Sequence, residues 1–228
     1  MTRRFFKEVT VSSDNGIMLD TRVLKTPLKA VLKLPMPALA EAIAAEWREQ
    51  GEHIRPLSMP ITRLANTAID RVGAERDKIK AEILEFAGSD MVCYRAESPP
   101  ALISRQAELW DPVIDWARSV TDAPFVVTTG VMHVEQPEAA IKAFAVHLHA
   151  MDDFTIAVLH NLTTLTGSAL LAAMIEARAI DSRAAWAAAF ADEDWQIEQW
   201  GEDEEASLLR ARRLKEFEAC CRFLATLR

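Results

Sequence analysis

The sequence predicts an α+β protein: a small antiparallel-sheet-plus-helix N-terminal domain followed by a larger all-α orthogonal helical domain. Three observations predict it. Up to Leu34 apolar residues alternate with polar ones, the two-residue period of strands. After Leu34 they recur at spacings of three and four, the period of helices, and beyond Gly73 that period continues almost to the C-terminus. The domains are accordingly expected at 1–73 and 74–228. Half of the 228 residues are hydrophobic, enough to bury a sizeable core.

Phe5, Val9 and Val11 alternate with polar neighbours, and Asp14-Asn15-Gly16 supplies residues that accept positive φ in a tight hairpin turn. Between Val23 and Leu34, Ala30, Leu32 and Leu34 share a face and Thr26-Pro27 breaks the run, so three or four short antiparallel strands follow. Pro35 and Pro37 open a helix in which Leu39, Ile43 and Trp47 recur every four residues, with Gly51 placed to end it. In MPITRLANTAIDRV, Ile61, Leu64, Ala65, Ala68, Ile69 and Val72 form a buried helix face. Its other face carries Arg63, Asn66, Thr67 and Asp70, which line a groove, face solvent or join an interdomain hydrogen-bond network, with Arg63 and Asp70 placed to reach the helical domain. Further helices are expected at 75–94 (interrupted at Gly88-Ser89), 101–109, 111–121 (Asp111 as N-cap, Pro112 in first position), 137–151, 153–178, 182–200 and 203–227. The stretch from Pro124 to Val134 reads equally as a short strand or a buried loop.

A net charge of -8 argues against nucleic-acid binding, which draws its affinity from Lys and Arg. It favours a basic protein partner, or simply solubility. Cys93, Cys220 and Cys221 form an odd set with no metal-ligand spacing, consistent with reduced thiols in the cytosol. No apolar run reaches the length of a membrane span, and the first residues lack the apolar core of a secretion signal.

The chain contains no GxSxG, P-loop, post-strand GxGxxG or HExxH pattern. His149, Asp153 and His160 would share a face if one helix ran through them, which is the basis of an alternative reading as a metal-dependent hydrolase. A helix start at Asp152 or Asp153 would destroy that register. Thr163, Thr164, Thr166, Gly167 and Ser168 allow a nucleophile or anion site, or small residues at a close helix contact with hydroxyls bonded to the preceding turn. Ser89 and Asp90 suit a polar contact in the core.

The strongest anomaly is DEDWQIEQWGEDEEA, Asp192 to Ala206, with eight acids, two tryptophans and no basic residue. On a single helix from Ser182 to Trp200, Trp186, Phe190, Ile197 and Trp200 make a core stripe. Trp195 then lies about 180° from Trp186 at about 100° per residue, on the side of Glu198. Gly201 would end this helix, Asp203 would cap the next, and Glu204 and Glu205 would suit its positive N-terminus. Asp192, Glu193, Asp194 and Glu198 remain as an acidic rim around Trp195, the arrangement of an anchor for an Arg- or Lys-rich partner.

RRFFKEVTV, LDTRVLKTPLKAVLKLP, LAEAIAAEW, MPITRLANTAIDRV, EILEFAGSDMVCYRAESP, RQAELWDPVIDWA, LTGSALLAA and DEDWQIEQWGEDEEA together resemble the F-type ATP synthase assembly chaperones of the Atp-twelve type, found in mitochondria and alphaproteobacteria. The blocks follow family order over nearly the whole chain. The resemblance implies an N-terminal α+β domain joined to a helical one. It implies a non-enzymatic chaperone, without cofactor or metal, that holds the unassembled alpha subunit until beta subunits replace it. It associates function with an acid of the WGED-like motif, which points to Glu202, Asp203, Glu204 or Glu205. Together with the residues above, the expected partner-binding set is Trp195, Glu198, Trp200, Glu202, Asp203, Glu204 and Glu205. Mitochondrial members begin with a presequence, so the short N-terminus suggests a bacterial, cytoplasmic protein, expected to be a monomer that neither enters membranes nor binds nucleic acid. A general holdase without a dedicated client is the remaining alternative.

Overall fold

The N-terminal alternation folds as an antiparallel meander of β1 (Val9–Val11), β2 (Ile17–Leu19) and β3 (Arg22–Val23), with Val9 opposite Leu19 and Met18 opposite Val23. The computed structural model describes residues 2–228. Asn15 takes the positive φ of the first turn, 61°. Bridges from Gly16 to Lys33 and from Lys25 to Val31 extend the pairing. They turn Leu24, Thr26, Leu32 and Leu34 inward and leave Val23, Lys25, Val31 and Lys33 exposed. Ala30, expected on the inner face, is exposed beside the turn at Lys29.

The sheet packs on α1 (Pro37–Arg48), which opens on a proline at its first position and buries Leu39, Ala40, Ile43, Ala44 and Trp47. Next, α2 (Pro60–Thr67) runs through a widened π-helical turn, Ala68–Val72, into α3 (Gly73–Gly88). Ile61, Leu64, Ala65, Ala68 and Val72 are buried as the pattern predicts, and Ile69 is half-buried. The widened turn presents Asp70 to the strand loop, where it accepts hydrogen bonds from Thr26 Oγ1 at 2.5 Å and Leu28 N at 3.1 Å. Asp70 therefore hydrogen-bonds within the N-terminal residues and not, as its place on that face predicts, toward the helical domain.

The chain divides into two compact units. The first comprises the residues up to Arg76 together with Asp152–Val158 and Ala219–Arg228; the second comprises Asp77–Met151 and Leu159–Glu218. Within the first, Phe154 stacks on Phe223 with centroids 6.5 Å apart, and Arg76 pairs with Asp153.

The second unit is built around α4 (Pro100–Thr121), which packs against α5 (Glu138–His149), α7 (Ala169–Glu176), α8 (Ser182–Ala189) and α9 (Ala191–Trp200). Gln106, Trp110, Val113, Ile114, Ala117 and Thr121 form its buried stripe. The sequence suggested two helices meeting at Asp111-Pro112; instead one helix passes through Pro112, and Asp111 is not a cap but pairs with Arg95 at 2.9 Å. Proline removes one hydrogen bond, and the buried stripe continuing on both sides of it outweighs that loss. Conversely, the expected helix 153–178 is two: α6 (Asp153–Thr166) ends before Gly167, whose φ is +71°, and Ser168 caps α7 by accepting from Leu171 N at 2.9 Å.

The expected helix 182–200 also breaks, at Phe190 (φ -119°, ψ 24°), giving α8 and α9. No Gly or Pro marks the break; Phe190 is buried with its ring 4.0 Å from that of Trp186. In the ambiguous stretch, β5 (Thr128–Thr129) pairs in parallel with β4 (Tyr94–Arg95). The last helix is α10 (Glu204–Thr226). Among the described residues no helix is long and apolar enough to cross a membrane.

Candidate functional site

The kink at Phe190 decides what the acidic segment can do, because α9 departs in a new direction and its first acids meet arginines of α10. Glu193 accepts from Arg213 Nη1 at 3.1 Å and lies 3.7 Å from Arg210, which also pairs with Asp194. The Arg210 guanidinium sits 5.4 Å from the Phe190 ring centroid and 5.8 Å from that of Trp186. With only a fifth of its side chain exposed, Arg210 pins α9 by charge and by stacking at once. Arg210→Ala is expected to lower stability by about 2 kcal/mol and to speed amide exchange along α9, measured by urea unfolding and hydrogen exchange.

Trp195 is half-buried, and Arg105 of α4 lies over it at 5.2 Å. The same guanidinium holds Glu198 with two bonds of 2.9 and 2.7 Å. This hydrogen-bonded pairing raises the pKa of Arg105 and holds the Glu198 carboxyl below its ordinary value. Asp192 accepts from Gln106 Nε2 at 2.8 Å. The four acids read as an outward rim around Trp195 are thus engaged by this chain's own side chains, partners the sequence could not display because they lie 16 to 93 residues away.

The second half of the segment behaves differently. Trp200, assigned by its spacing to the core, is 79 % exposed, because the helix break takes it out of the stripe of Trp186 and Phe190; Ile197 is half-buried. Gly201, with φ of +87°, turns the chain out of α9. Asp203 Oδ1 accepts from Ala206 N at 2.8 Å and caps α10, and Glu202 accepts from the Ser207 hydroxyl at 2.6 Å. Glu204 and Glu205 occupy the first turn, where the helix dipole favours them. All four acids are exposed, and among the described residues none is in an ion pair.

Beside Trp200 a groove of about 920 Å³ opens in the second unit. Its lining includes Tyr94, Pro99, Leu102, Val131, Trp195 and Trp200. Val131 is 94 % exposed. Sequence reasoning missed this residue because it lies in the stretch that had no clear period.

The catalytic alternatives do not assemble. α5 ends at His149 and α6 begins at Asp153, so no single helix aligns His149, Asp153 and His160. Asp153 pairs with Arg76, and His160 Nε2 lies 2.8 Å from Glu82 Oε2. No group of three His, Cys, Asp or Glu among the described residues could hold a metal ion. Thr164 and Thr166 donate to the His160 and Leu162 carbonyls one turn back, the structural role their setting suggested.

Comparison with known proteins agrees with this architecture. Residues 3–118 match the family described as ATP12 chaperone protein. The chain is 44% identical to the Atu1473 protein of Agrobacterium tumefaciens, with a TM-score of 0.93, covering 99% of this chain and 86% of that one. Against Atp12 of Paracoccus denitrificans the identity is 39% and the TM-score 0.92, covering 100% of this chain and 99% of that one. Mitochondrial atp12 of Schizosaccharomyces pombe is 25% identical over 219 residues, 90% of this chain and 75% of its own. The class is that of molecular chaperones, proteins that act by binding rather than by chemistry. This chain belongs to the ATP12 chaperone family, chaperones of ATP synthase assembly.

Proposed function

We propose that the protein binds the unassembled alpha subunit of F-type ATP synthase, through Trp200 and the acids Glu202, Asp203, Glu204 and Glu205, and holds it until beta subunits replace it. Trp195 and Glu198, braced by Arg105, support the flank of this surface. The carrying observation is a tryptophan exposed over 79 % of its surface beside four acids that are outside any ion pair among the described residues. Exposed aromatic surface gains by burial against a partner, and unpaired acids steer and orient a basic one. Such a rim weakens with salt, which suits a complex that must release its client. The chaperone acts in this reading as a monomer in the bacterial cytoplasm, in keeping with its relatives in Agrobacterium and Paracoccus.

The test replaces Glu202, Glu204 and Glu205 with Lys and Asp203 with Asn, which retains a capping oxygen. Affinity for purified alpha subunit is expected to fall at least about tenfold, and its dependence on salt to flatten, with helix content unchanged by circular dichroism. Unaltered affinity would remove the acids from the mechanism. A general holdase would be displaced from alpha subunit by any aggregating protein, so competition with an unrelated unfolded chain separates the two activities.

A further inference from the structure

Several polar groups in the lining of the groove beside Trp200 are already committed within the chain. Gln106, only 2 % exposed, accepts from Ala96 N at 2.7 Å and donates to Asp192. Arg95 donates to the Gln106 carbonyl at 2.9 Å and pairs with Asp111. The Tyr94 hydroxyl lies 3.3 Å from His133 Nδ1. Besides Glu97, what the groove chiefly offers an incoming molecule is apolar: Leu102, Val131, Pro99 and the two indoles of α9. Exposed apolar surface of this kind, continuous with Trp200, is the mark of an interaction site.

The charge around it selects the occupant. Glu97 lines the groove, is exposed, and is in no ion pair among the described residues. Gly130, at φ +84°, leaves room for Glu97, whose Oε1 would stand 2.9 Å from a Cβ there, and the Gly130 N–H donates to the Arg95 carbonyl at 2.8 Å, which holds the loop carrying Val131 beside this acid. The second unit as a whole carries 12 Lys and Arg against 23 Asp and Glu, a net charge of -11. An acidic segment, a nucleic acid, or the same face of a second copy would all be repelled.

We propose that this groove receives an extended polypeptide segment of the client, one large apolar side chain anchored against Val131 and Trp200 and flanked by Lys or Arg near Glu97. The proposal rests on the client reading above and specifies what that client must present. Its anchoring is hydrophobic and its register is set by charge, so the two contributions separate by mutation.

The test uses the full chain, purified alpha subunit, and two fluorescein-labelled 12-residue peptides that share a Leu-Phe-Leu centre, one flanked by Arg and the other by Glu. Val131→Lys and Glu97→Lys alter exposed groove positions; Val146→Lys, on an exposed position of α5 outside the lining, is the control. The Arg-flanked peptide is expected to bind at least about tenfold more tightly than its Glu-flanked counterpart and to compete with alpha subunit. Val131→Lys should weaken both alpha subunit and the Arg peptide about tenfold, Glu97→Lys several-fold, and Val146→Lys not at all. Equal affinity for the two peptides, or unchanged affinity in Val131→Lys, would overturn the proposal. Loss of alpha binding on acid replacement but not on Val131→Lys sinks the groove and leaves the client reading standing. Binding of the Arg peptide at Val131 without any binding of alpha subunit does the reverse. A dimer dispersed by Val131→Lys, with no peptide bound, would assign the groove to a second copy and overturn the proposal as well.

Discussion

Asp90→Ala is expected to lower the free energy of unfolding by about 3 kcal/mol at pH 7, and the deficit should grow as the solution is acidified. Asp90 is fully buried, and its carboxylate joins two chain segments far apart in sequence. One oxygen accepts from Val92 N at 3.2 Å, at the start of the short helical turn Met91–Cys93; the other accepts from Leu170 N at 2.9 Å, at the start of α7. The Ser168 hydroxyl is also bonded to it. Alanine would leave these buried donors without an acceptor, at a cost of roughly 1–3 kcal/mol each, partly offset by removing a buried charge.

Burial pushes the Asp90 carboxyl up from 3.8 to about 6, against the pull of its hydrogen bonds. A folded-state value above the unfolded one means the native protein binds the proton more firmly. The pH-dependent part of the contribution of Asp90 to stability is therefore fully present below pH 3.8 and is lost as pH rises through 6, leaving at pH 7 the cost of the donors that alanine would strand. Urea unfolding of the wild type and Asp90→Ala from pH 4 to 8 should show a difference that widens by about 1.4 kcal/mol per unit between pH 6 and 4. A difference that stays flat would show that Asp90 titrates like an exposed acid.

Period and turn chemistry located the meander, α1, the buried face of α2 and the cap at Asp203, because each depends on residues within one or two turns of one another. The break at Gly167-Ser168 has a local cause, a positive-φ glycine followed by a capping serine, whereas the other misplaced boundaries sit among tertiary contacts. Pro112 is tolerated because α4 stays buried on both sides of it, and the break at Phe190 lies under contacts from α10, Arg210 over the Phe190 ring and Phe217 against Trp186. The same division runs through the acidic segment. Its charge and its tryptophans are plain in the sequence; which acids are already satisfied is not, since Arg105, Arg210 and Arg213 reach them from distant turns. On the function proposed above, the weight of the candidate surface therefore falls on Trp200 and Glu202 to Glu205 more than on Trp195.

Glu46 shows how a residue beside an apolar stripe can matter more than the stripe suggests, and Glu46→Ala is expected to cost about 3 kcal/mol. α2 opens on Pro60 with Met59 before it, and no local side chain caps it. Its first donors are supplied from α1 instead. Glu46 Oε1 accepts from Ile61 N at 2.8 Å, and Oε2 accepts from Thr62 N at 2.8 Å and Thr62 Oγ1 at 2.7 Å. A carboxylate at a helix N-terminus is also favoured by the dipole, and this one holds α1 and α2 in a fixed relation. Burial raises the Glu46 carboxyl above its ordinary value while these bonds and Arg222 oppose the rise. Its contribution accordingly strengthens as pH falls toward 4.5 and weakens as pH rises through the folded-state value. Glu46→Gln keeps one accepting oxygen but turns an amide toward the remaining donors, so it should lose about half as much as alanine. Thermal or urea unfolding measures the loss, and amide exchange at Ile61 and Thr62 locates it. Fast exchange at those two amides in Glu46→Ala, with the amides of α4 still protected, is the result that would assign the cap to Glu46; unchanged exchange there would mean that water or a neighbouring group caps α2 in its place.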